Sequence, residues 1–413
     1  MMNLVIKNIG QLVTVASHGA RVKRGSEMRE LHIVEHASLL INNGIITQLG
    51  AENSFSVPEE FDVIDAEGKV VLPGFVDSHT HAVFAGSREN EFAMRAEGKT
   101  YQEIAEAGGG ILSTMNATRA ATKKELKKLA NRRLDAMLRN GTTTVEIKSG
   151  YGLSPEAEMK LLEAINELKE EHYVNVAATF LGAHAFPPEF SDWKQEYVDR
   201  LCDFMLPHIA ERKLATFVDV FCETGYFNLK QTEQILLEAK RLGMIPKLHA
   251  DQLTAMGAVE LGVQQNAVSV DHLEQLNESG IAALKNSSTI ATVLPGCSFF
   301  LNHPYAPARR LIDEQIPVAI ATDFNPGSQM CFSMQMMLTI ACTQMHLSPE
   351  EAITAATLNG AAALGLSSEI GSIEIGKQAD VVLYDVKDYR YIPYHYGTNH
   401  VWKIVKNGVV LEF

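Results

Sequence analysis

The chain has 413 residues, of which 46% are hydrophobic and 21% are charged. This length and balance suit one large barrel with an accessory layer, or two to three domains, and they exclude wholesale disorder. Lys and Arg number 36 against 50 Asp and Glu, which leaves a formal net charge of −14. This charge argues against a nucleic-acid-binding protein, because such proteins need a basic face.

Cysteine spacing and the first residues indicate a cytoplasmic protein. None of the five cysteines forms a CxxC pair, so neither a thiolate zinc site nor a disulfide framework is predicted. We expect no nucleophilic role for them. The opening MMNLVIKNIGQLVTVA lacks the basic start and apolar core of a signal peptide. Residues 324–349 carry no charge but are interrupted by Asn, Pro and Gln, so no membrane association is expected.

Short strands and turns occupy both ends of the chain. Residues 1–68 contain alternating apolar segments joined by Asn43-Gly44, a dipeptide typical of a β-hairpin turn. Residues 371–413 show the same alternating apolar segments and include a second such dipeptide, Asn407-Gly408. We therefore predict one small β-sandwich domain built from both termini, residues 1–68 and 365–413.

The middle of the chain, residues 69–364, alternates apolar, β-branched runs with helical patterns. Ser154-Pro155, for example, is a strong helix start. Eight such runs predict an α/β fold, a (β/α)8 TIM-like barrel. An open doubly wound sheet is the alternative, although no glycine-rich phosphate turn directly follows a strand. The runs are 70–81, 142–149, 174–184, 216–223, 244–251, 267–272, 288–295 and 316–323.

Histidines and an aspartate stand where several of these strands end, which is the active-site face of such a barrel. His79 and His81 are two residues apart on a strand, so they point to the same face. Hydrogen-bonded polar residues at a barrel mouth would explain the pair alone. With His249 and Asp323 also at strand ends, the set indicates a metal site that suits zinc or iron.

The stretch VLPGFVDSHTH resembles the first-strand signature of the amidohydrolase superfamily, and the split β domain is also similar to that superfamily. The resemblance implies one divalent transition metal per subunit, Zn²⁺ or iron (Fe²⁺ or Fe³⁺), bound by His79, His81, His249 and Asp323. It implies a mononuclear site, since the fourth strand ends in Glu223 where binuclear members usually carry a carboxylated lysine. His272 and Asp323 are the implied catalytic residues, and Glu223 stays outside that set.

Several further stretches, among them RENEFAMRAEGKTYQEIAEAGGGI, EIKSGYGL, LHADQL and ATDFNPGS, resemble one branch of the superfamily. That branch hydrolyses 4-imidazolone-5-propanoate to N-formimidoyl-L-glutamate in histidine degradation. A small substrate with a carboxylate tail and a possible homodimer are implied. Arg88 is suited to clamp the carboxylate. The substrate contacts implied by the resemblance are Arg88, Tyr101, Tyr151, His184, Gln252, Asn325, Gly327 and Ser328.

Two other functions stay open at this point. A related mononuclear deaminase would act on a nucleobase or another cyclic amidine, and its pocket would need aromatic stacking more than a carboxylate clamp. A catalytically inactive barrel used as a binding protein would be expected to have lost one or more metal ligands, and this chain retains all four.

Overall fold

The computed structural model describes residues 3–52, 54–56, 58–99, 103 and 108–412. Over this part of the chain the strands form two sheets of eight. In chain order the strands are β1 Asn3–Val13, β2 Ile33–Asn42, β3 Ile45–Ala51, β4 Asp62–Asp65, β5 Val70–Pro73, β6 Phe75–Asp77, β7 Thr142–Lys148, β8 Asn175–Ala183, β9 Phe217–Cys222, β10 Ile245–Ala250, β11 Ser269–His272, β12 Ile290–Val293, β13 Val318–Ile320, β14 Val381–Tyr384, β15 Val401–Lys406 and β16 Val409–Leu411.

Helices connect most of these strands. The helix start predicted at Ser154-Pro155 is confirmed. The Ser154 side chain accepts a hydrogen bond from the Ala157 amide, and Pro155 is the first helical residue. The α-helices are Glu89–Ala96, Ile111–Ala120, Lys123–Arg139, Pro155–Glu171, Lys194–Arg200, Leu206–Glu211, Leu229–Arg241, Ala258–Gln264, Glu278–Lys285, Pro295–Leu301, Ala308–Asp313, Met334–Gln344, Pro349–Ala356, Leu358–Ala362 and Tyr391–Tyr394. In the described part of the chain, no helix is long and apolar enough to cross a membrane.

Both termini build the first sheet, as predicted. Its strand order is β16-β15-β14-β5-β1-β2-β3, with β4 pairing with β1. The two predicted hairpins are confirmed: Asn43 and Gly44 have φ of 52° and 79°, and Asn407 and Gly408 have φ of 49° and 75°. Such left-handed pairs match the twist of the flanking strands. Buried Ile6, Ile41 and Leu383 give this sheet a core of its own.

The second sheet is the predicted (β/α)8 barrel. Strands β6 to β13 pair in parallel and in chain order. The first and last strands are joined beyond their ends, where the His81 amide donates to the Phe324 carbonyl at 2.9 Å and the Asp323 amide donates to the His79 carbonyl at 3.0 Å. All eight strands therefore end at one barrel mouth.

One strand assignment from the sequence was wrong. The run 70–81 is not a single barrel strand, because Val70–Pro73 pairs with β1 and β14 in the terminal sheet and only Phe75–Asp77 enters the barrel. The chain changes sheets at Gly74, where a Cβ would lie 2.1 Å from the Thr143 hydroxyl. The domain boundaries themselves stay a prediction; this pairing favours placing the first at Gly74.

Candidate active site

Four buried side chains converge at the barrel mouth. His79 Nε2 and His81 Nε2 lie 3.5 and 3.6 Å from the same oxygen, Oδ1 of Asp323. The His249 ring centroid lies 4.5 Å from that of His79 and 5.7 Å from that of His81. The structure therefore brings together the four residues that the sequence predicted as metal ligands, although they come from the first, fifth and eighth strands.

The donor atoms of this cluster fit a divalent metal ion. Within 4.8 Å of one another lie donors of His79, His81 and Asp323, and likewise donors of His79, His249 and His272. His79, which both groups share, has a buried Nε2 without a hydrogen-bond partner among the described residues. Imidazole nitrogens with one carboxylate are a donor set for zinc or iron. The cluster could hold one such ion.

Two aspartates behind the histidines fix the direction of the rings. Asp271 Oδ2 lies 2.6 Å from His79 Nδ1, and Asp219 Oδ2 lies 3.1 Å from His249 Nδ1. The hydrogen bond to Asp271 holds the proton of His79 on Nδ1 and leaves Nε2 as a lone-pair donor toward the cavity, while Asp219 lies within ion-pairing distance of His249. Asp219, which lies in the middle of an apolar strand, was not predicted from the sequence as a site residue.

The two aspartates, Asp219 and Asp271, belong to a buried charged layer that also contains Lys148, Lys247 and Glu146. Lys148 Nζ lies 2.8 Å from both Glu146 Oε1 and Asp219 Oδ2, and Lys247 Nζ lies 3.3 Å from Glu146 Oε1. Burial alone would lower the pKa of Lys148, but the surrounding carboxylates outweigh it and raise the pKa. Lys148 is therefore a buried cation that ties three strands together.

The surroundings of the cluster keep the ring nitrogens of its histidines available as metal ligands. Burial, together with Lys148 and the neighbouring histidines, holds the pKa of His79 well below its ordinary value, and burial lowers the pKa of His184 to about 3. His272 behaves differently: burial acts against its charged form, but Glu274, Asp323 and Asp271 outweigh burial and raise its pKa. His272 is thus suited to hold a proton beside rings that remain neutral.

The backbone of the catalytic candidates is strained. His272 has φ of 86° and Asp323 has φ of 54°, both in the left-handed region that disfavours residues with a Cβ. Each residue stands where its strand turns over the barrel mouth. Such conformations concentrate at functional sites, because the surrounding structure must hold them.

A cavity of about 560 Å³ opens above the cluster. The Arg88 guanidinium forms one wall, with Nε donating to the Thr114 hydroxyl at 2.9 Å. Tyr151 and His184 line the same cavity: their ring centroids are 5.3 Å apart, and His184 stacks on His81 at 5.1 Å. The cavity walls also include Gln252, Asn325, Gly327, Ser328, Asp323 and His272.

The turn after the eighth strand connects the arginine wall to Asp323. The Asn325 side chain accepts from the amides of Gly327 and Ser328 at 2.8 and 2.9 Å and donates to the Asp323 carbonyl at 2.7 Å. At Gly327, an added Cβ would lie 2.2 Å from Arg88 Nη1. A side chain at this position would therefore displace the guanidinium from where it lies.

Other predicted residues have the following positions. Tyr101 lies outside the described residues. Glu223, which the sequence analysis kept out of the catalytic set, accepts from the amides of Leu253 and Thr254 at 2.8 and 3.1 Å, so it orders the loop that carries Gln252.

Several residues of the cavity wall, and one beside it, were not predicted from the sequence. Arg95 could have been found, since it lies seven residues after Arg88 on the same helical face; its Nη2 donates to the Gly327 carbonyl at 3.0 Å. No local signal marked the exposed His303 as part of the wall. Cys297, at the end of the seventh strand, lies beside Asp323 and His272.

Sequence comparison identifies close relatives of the chain. Profiles of the amidohydrolase family match residues 231–411 and 62–110. The imidazolonepropionase of Bacillus cytotoxicus is 46% identical over 409 residues, which is 99% of this chain and 96% of that protein. The imidazolonepropionase of Alkaliphilus oremlandii is 45% identical over 410 residues, 98% of this chain and 97% of that protein.

Solved structures share the fold at low sequence identity. Guanine deaminase of E. coli superimposes with a TM-score of 0.75 at 16% identity, covering 100% of this chain and 99% of that one. A triazine hydrolase variant superimposes with a TM-score of 0.76 at 17% identity, covering 99% and 94% of the two chains. These likenesses support the barrel architecture, and the near-complete match to relatives at 45–46% identity shows that the chain belongs to the imidazolonepropionase family of amidohydrolases.

Proposed function

We propose that this chain hydrolyses 4-imidazolone-5-propanoate to N-formimidoyl-L-glutamate in the degradation of L-histidine. The name shared by its full-length relatives supports this function. The structural observation that carries it is the cavity shared by Arg88 and the histidine–aspartate cluster. A substrate with an anionic tail at one end and a cyclic amide at the other matches these two walls.

The resident ion is one divalent transition metal per subunit, Zn²⁺ or iron. His79, His81, His249 and Asp323 would hold it, since their donors surround the unpartnered His79 Nε2. When bound, such an ion lowers the pKa of water and polarises a carbonyl. Asp271 and Asp219 keep the histidine rings aimed at it.

Asp323 and His272 carry the protons of the reaction. Water adds its oxygen to the ring carbonyl carbon and the ring C–N bond breaks, so one proton must move from the water to the departing nitrogen. The buried Asp323 carboxylate, which lies beside His79 and His81, is placed to accept that proton. His272, whose Nδ1 lies 3.5 Å from Glu274 Oε1, donates to the oxyanion or the leaving nitrogen.

Arg88 binds the propionate tail. A guanidinium pairs with a carboxylate through two parallel hydrogen bonds. Tyr151 and His184 line the cavity that this clamp shares with the cluster, where they contact the ring; burial raises the pKa of Tyr151, so its hydroxyl stays a donor. Gln252 and the Asn325–Ser328 turn close the other side of the pocket.

We further infer a cytoplasmic homodimer. All five cysteines are free, which suits a reducing compartment. Size-exclusion chromatography coupled to light scattering measures the oligomeric state directly.

A substrate panel tests the proposed activity. We expect metal-reconstituted protein to consume 4-imidazolone-5-propanoate and release N-formimidoyl-L-glutamate, detected by mass spectrometry. An analogue with a propionamide tail should react far more slowly, because Arg88 then lacks its anionic partner. Guanine, adenine and cytosine serve as the alternative substrates. Deamination of a nucleobase without turnover of the imidazolone would contradict the proposal.

A further inference from the structure

A second group of possible metal ligands lies next to the predicted metal site. The Cys297 sulfur, a ring nitrogen of His272 and a carboxylate oxygen of Asp323 all lie within 4.8 Å of one another. We call these three residues the thiol triad. Cys297 is 1% exposed and lies in the helix Pro295–Leu301, directly after the seventh barrel strand.

The two oxygens of Asp323 face different neighbours. Oδ1 lies 3.5 and 3.6 Å from the ring nitrogens of His79 and His81. Oδ2 lies 3.3 Å from the hydroxyl of Ser328. The Asp323 carboxylate therefore belongs both to the predicted metal ligands and to the thiol triad.

The surroundings of the thiol triad are negative. Burial, together with the carboxylates of Asp323 and Glu274, raises the pKa of the Cys297 thiol well above its ordinary value. The Glu274 side chain is 2% exposed, and its Oε2 is buried with no hydrogen-bond partner among the described residues. A buried carboxylate oxygen without a partner is costly, and a cation nearby would compensate for it.

We propose that the thiol triad is a second cation site, selective for thiophilic divalent ions such as Cd²⁺ or excess Zn²⁺, and that its occupation inhibits the enzyme. Thiolate is the ligand that selects soft ions, and an imidazole and a carboxylate complete the set. Binding forms a sulfur–metal bond and releases the thiol proton to solvent. The inhibition rests on the proposed function, because His272 and Asp323 then no longer move protons.

Binding of Co²⁺ to the thiol triad can be measured by absorption, with no assay of enzyme activity. Protein holding one equivalent of Co²⁺ is titrated with further Co²⁺, and thiolate-to-cobalt charge-transfer absorption is recorded. We expect the band to grow with the second equivalent in the wild type and in Cys222→Ser, whose buried thiol lies outside the triad. The band should be absent in Cys297→Ser and in Cys297→Ala, each checked for folding by circular dichroism. No band in the wild type, or a band in both Cys297 variants, would overturn the site.

Inhibition is measured separately with Cd²⁺, and each rate is divided by the rate of the same variant without Cd²⁺. We expect Cys297→Ser to need about tenfold or more Cd²⁺ for half inhibition, the scale on which ligand environment changes metal affinity. Equal inhibition of wild type and Cys297→Ser would overturn the inhibitory role. If the imidazolone is not turned over at all, the cobalt titration still decides the site, so the two proposals fail independently.

Discussion

Arg88 is the residue on which substrate choice depends. Its guanidinium is held by the Thr114 hydroxyl and packs against Gly327, so its direction is fixed before substrate binds. We expect Arg88→Gln to raise KM at least about tenfold, since a charge-assisted bidentate pair is lost. Arg88→Lys should rescue only part of the loss, because an ammonium cannot form the fork.

Steady-state kinetics on both variants and on Arg132→Gln, an exposed arginine of the helix Lys123–Arg139, check this prediction. The Arg132 variant should keep the wild-type KM. An unchanged KM in Arg88→Gln would show that the tail binds elsewhere.

His272 is the residue expected to affect chemistry more than binding. We predict that His272→Gln lowers kcat by a factor of about 10² to 10⁴, the usual contribution of a positioned general acid or base. KM and the content of the tightly bound metal should change little. The pH profile of kcat should also lose one limb, whereas His249→Asn should lose the metal itself. A His272 variant with the wild-type profile would exclude the proton-transfer role.

Residue type and strand position made the histidines and Asp323 predictable from the sequence. A histidine at the end of an apolar run contrasts with its neighbours, so His79, His81 and His249 were visible. Asp219 and Cys297 were not, because their importance comes from what other strands place beside them. Asp219 faces His249 of the next strand, and Cys297 faces residues of the sixth and eighth.

At the scale of elements, the barrel interior depends on buried ion pairs. Lys148→Met would leave Asp219 without its lysine partner, and Glu146 and Asp271 with Lys247 alone. We expect a loss of about 3–5 kcal/mol in unfolding free energy, the cost of breaking a buried pair, and a metal affinity about 10- to 100-fold weaker.

Denaturant titration and competition with a metal chelator measure both effects. Lys127→Met is the matched control, since Lys127 pairs with exposed Glu167 and Glu171 and should cost less than about 1 kcal/mol. Equal losses in the two variants would contradict the role of the buried layer.

The segment before β14 contributes stability that depends on pH. Burial opposes ionisation of Glu374, but hydrogen bonds from the Ser372 hydroxyl and the His18 amide outweigh burial, and the pKa of Glu374 is lowered from 4.5 to about 2. This contribution is present above pH 4.5 and is lost as the pH falls toward 2, and its size is on the order of 3 kcal/mol.

Glu374→Gln should therefore lower the unfolding free energy at pH 7 and lose less stability on acidification than the wild type. Urea titrations between pH 7 and pH 3 check this. The exposed Glu369→Gln should follow the wild-type curve. Parallel curves for Glu374→Gln and wild type would contradict the prediction.

Strand count was predictable, but one strand boundary was not. Val70, Val71 and Leu72 are as apolar and as buried as Phe75 and Val76, so the sequence pattern is continuous across Gly74. Only the pairing partners separate them: Val71 faces Leu12 and Leu383 in the terminal sheet, while Phe75 faces Thr142 in the barrel. Pairing between distant segments is not encoded in local periodicity.

At the scale of the whole molecule, the predicted ligands join the strands that close the barrel. His79 and His81 follow the first strand and Asp323 follows the eighth, and the two segments are also joined by hydrogen bonds, including two from Thr322 to the buried Asp77 carboxylate. Val70–Pro73 continues from the first barrel strand into the centre of the terminal sheet, so the closure point also connects the two sheets. An ion held there would stabilise the closed barrel and, through Gly74, the contact between the sheets.

Metal removal should therefore reduce stability as well as activity. An ion that binds only the folded chain stabilises it by about 4 kcal/mol at a thousandfold excess over Kd. We expect chelated protein to be inactive and to unfold at lower temperature, and added Zn²⁺ or Fe²⁺ to restore both properties. His249→Asn is the control: its unfolding temperature should respond far less to either metal. A chelated wild type that keeps its stability would mean that the hydrogen bonds between Asp323 and His79 and between His81 and Phe324 close the barrel without the ion.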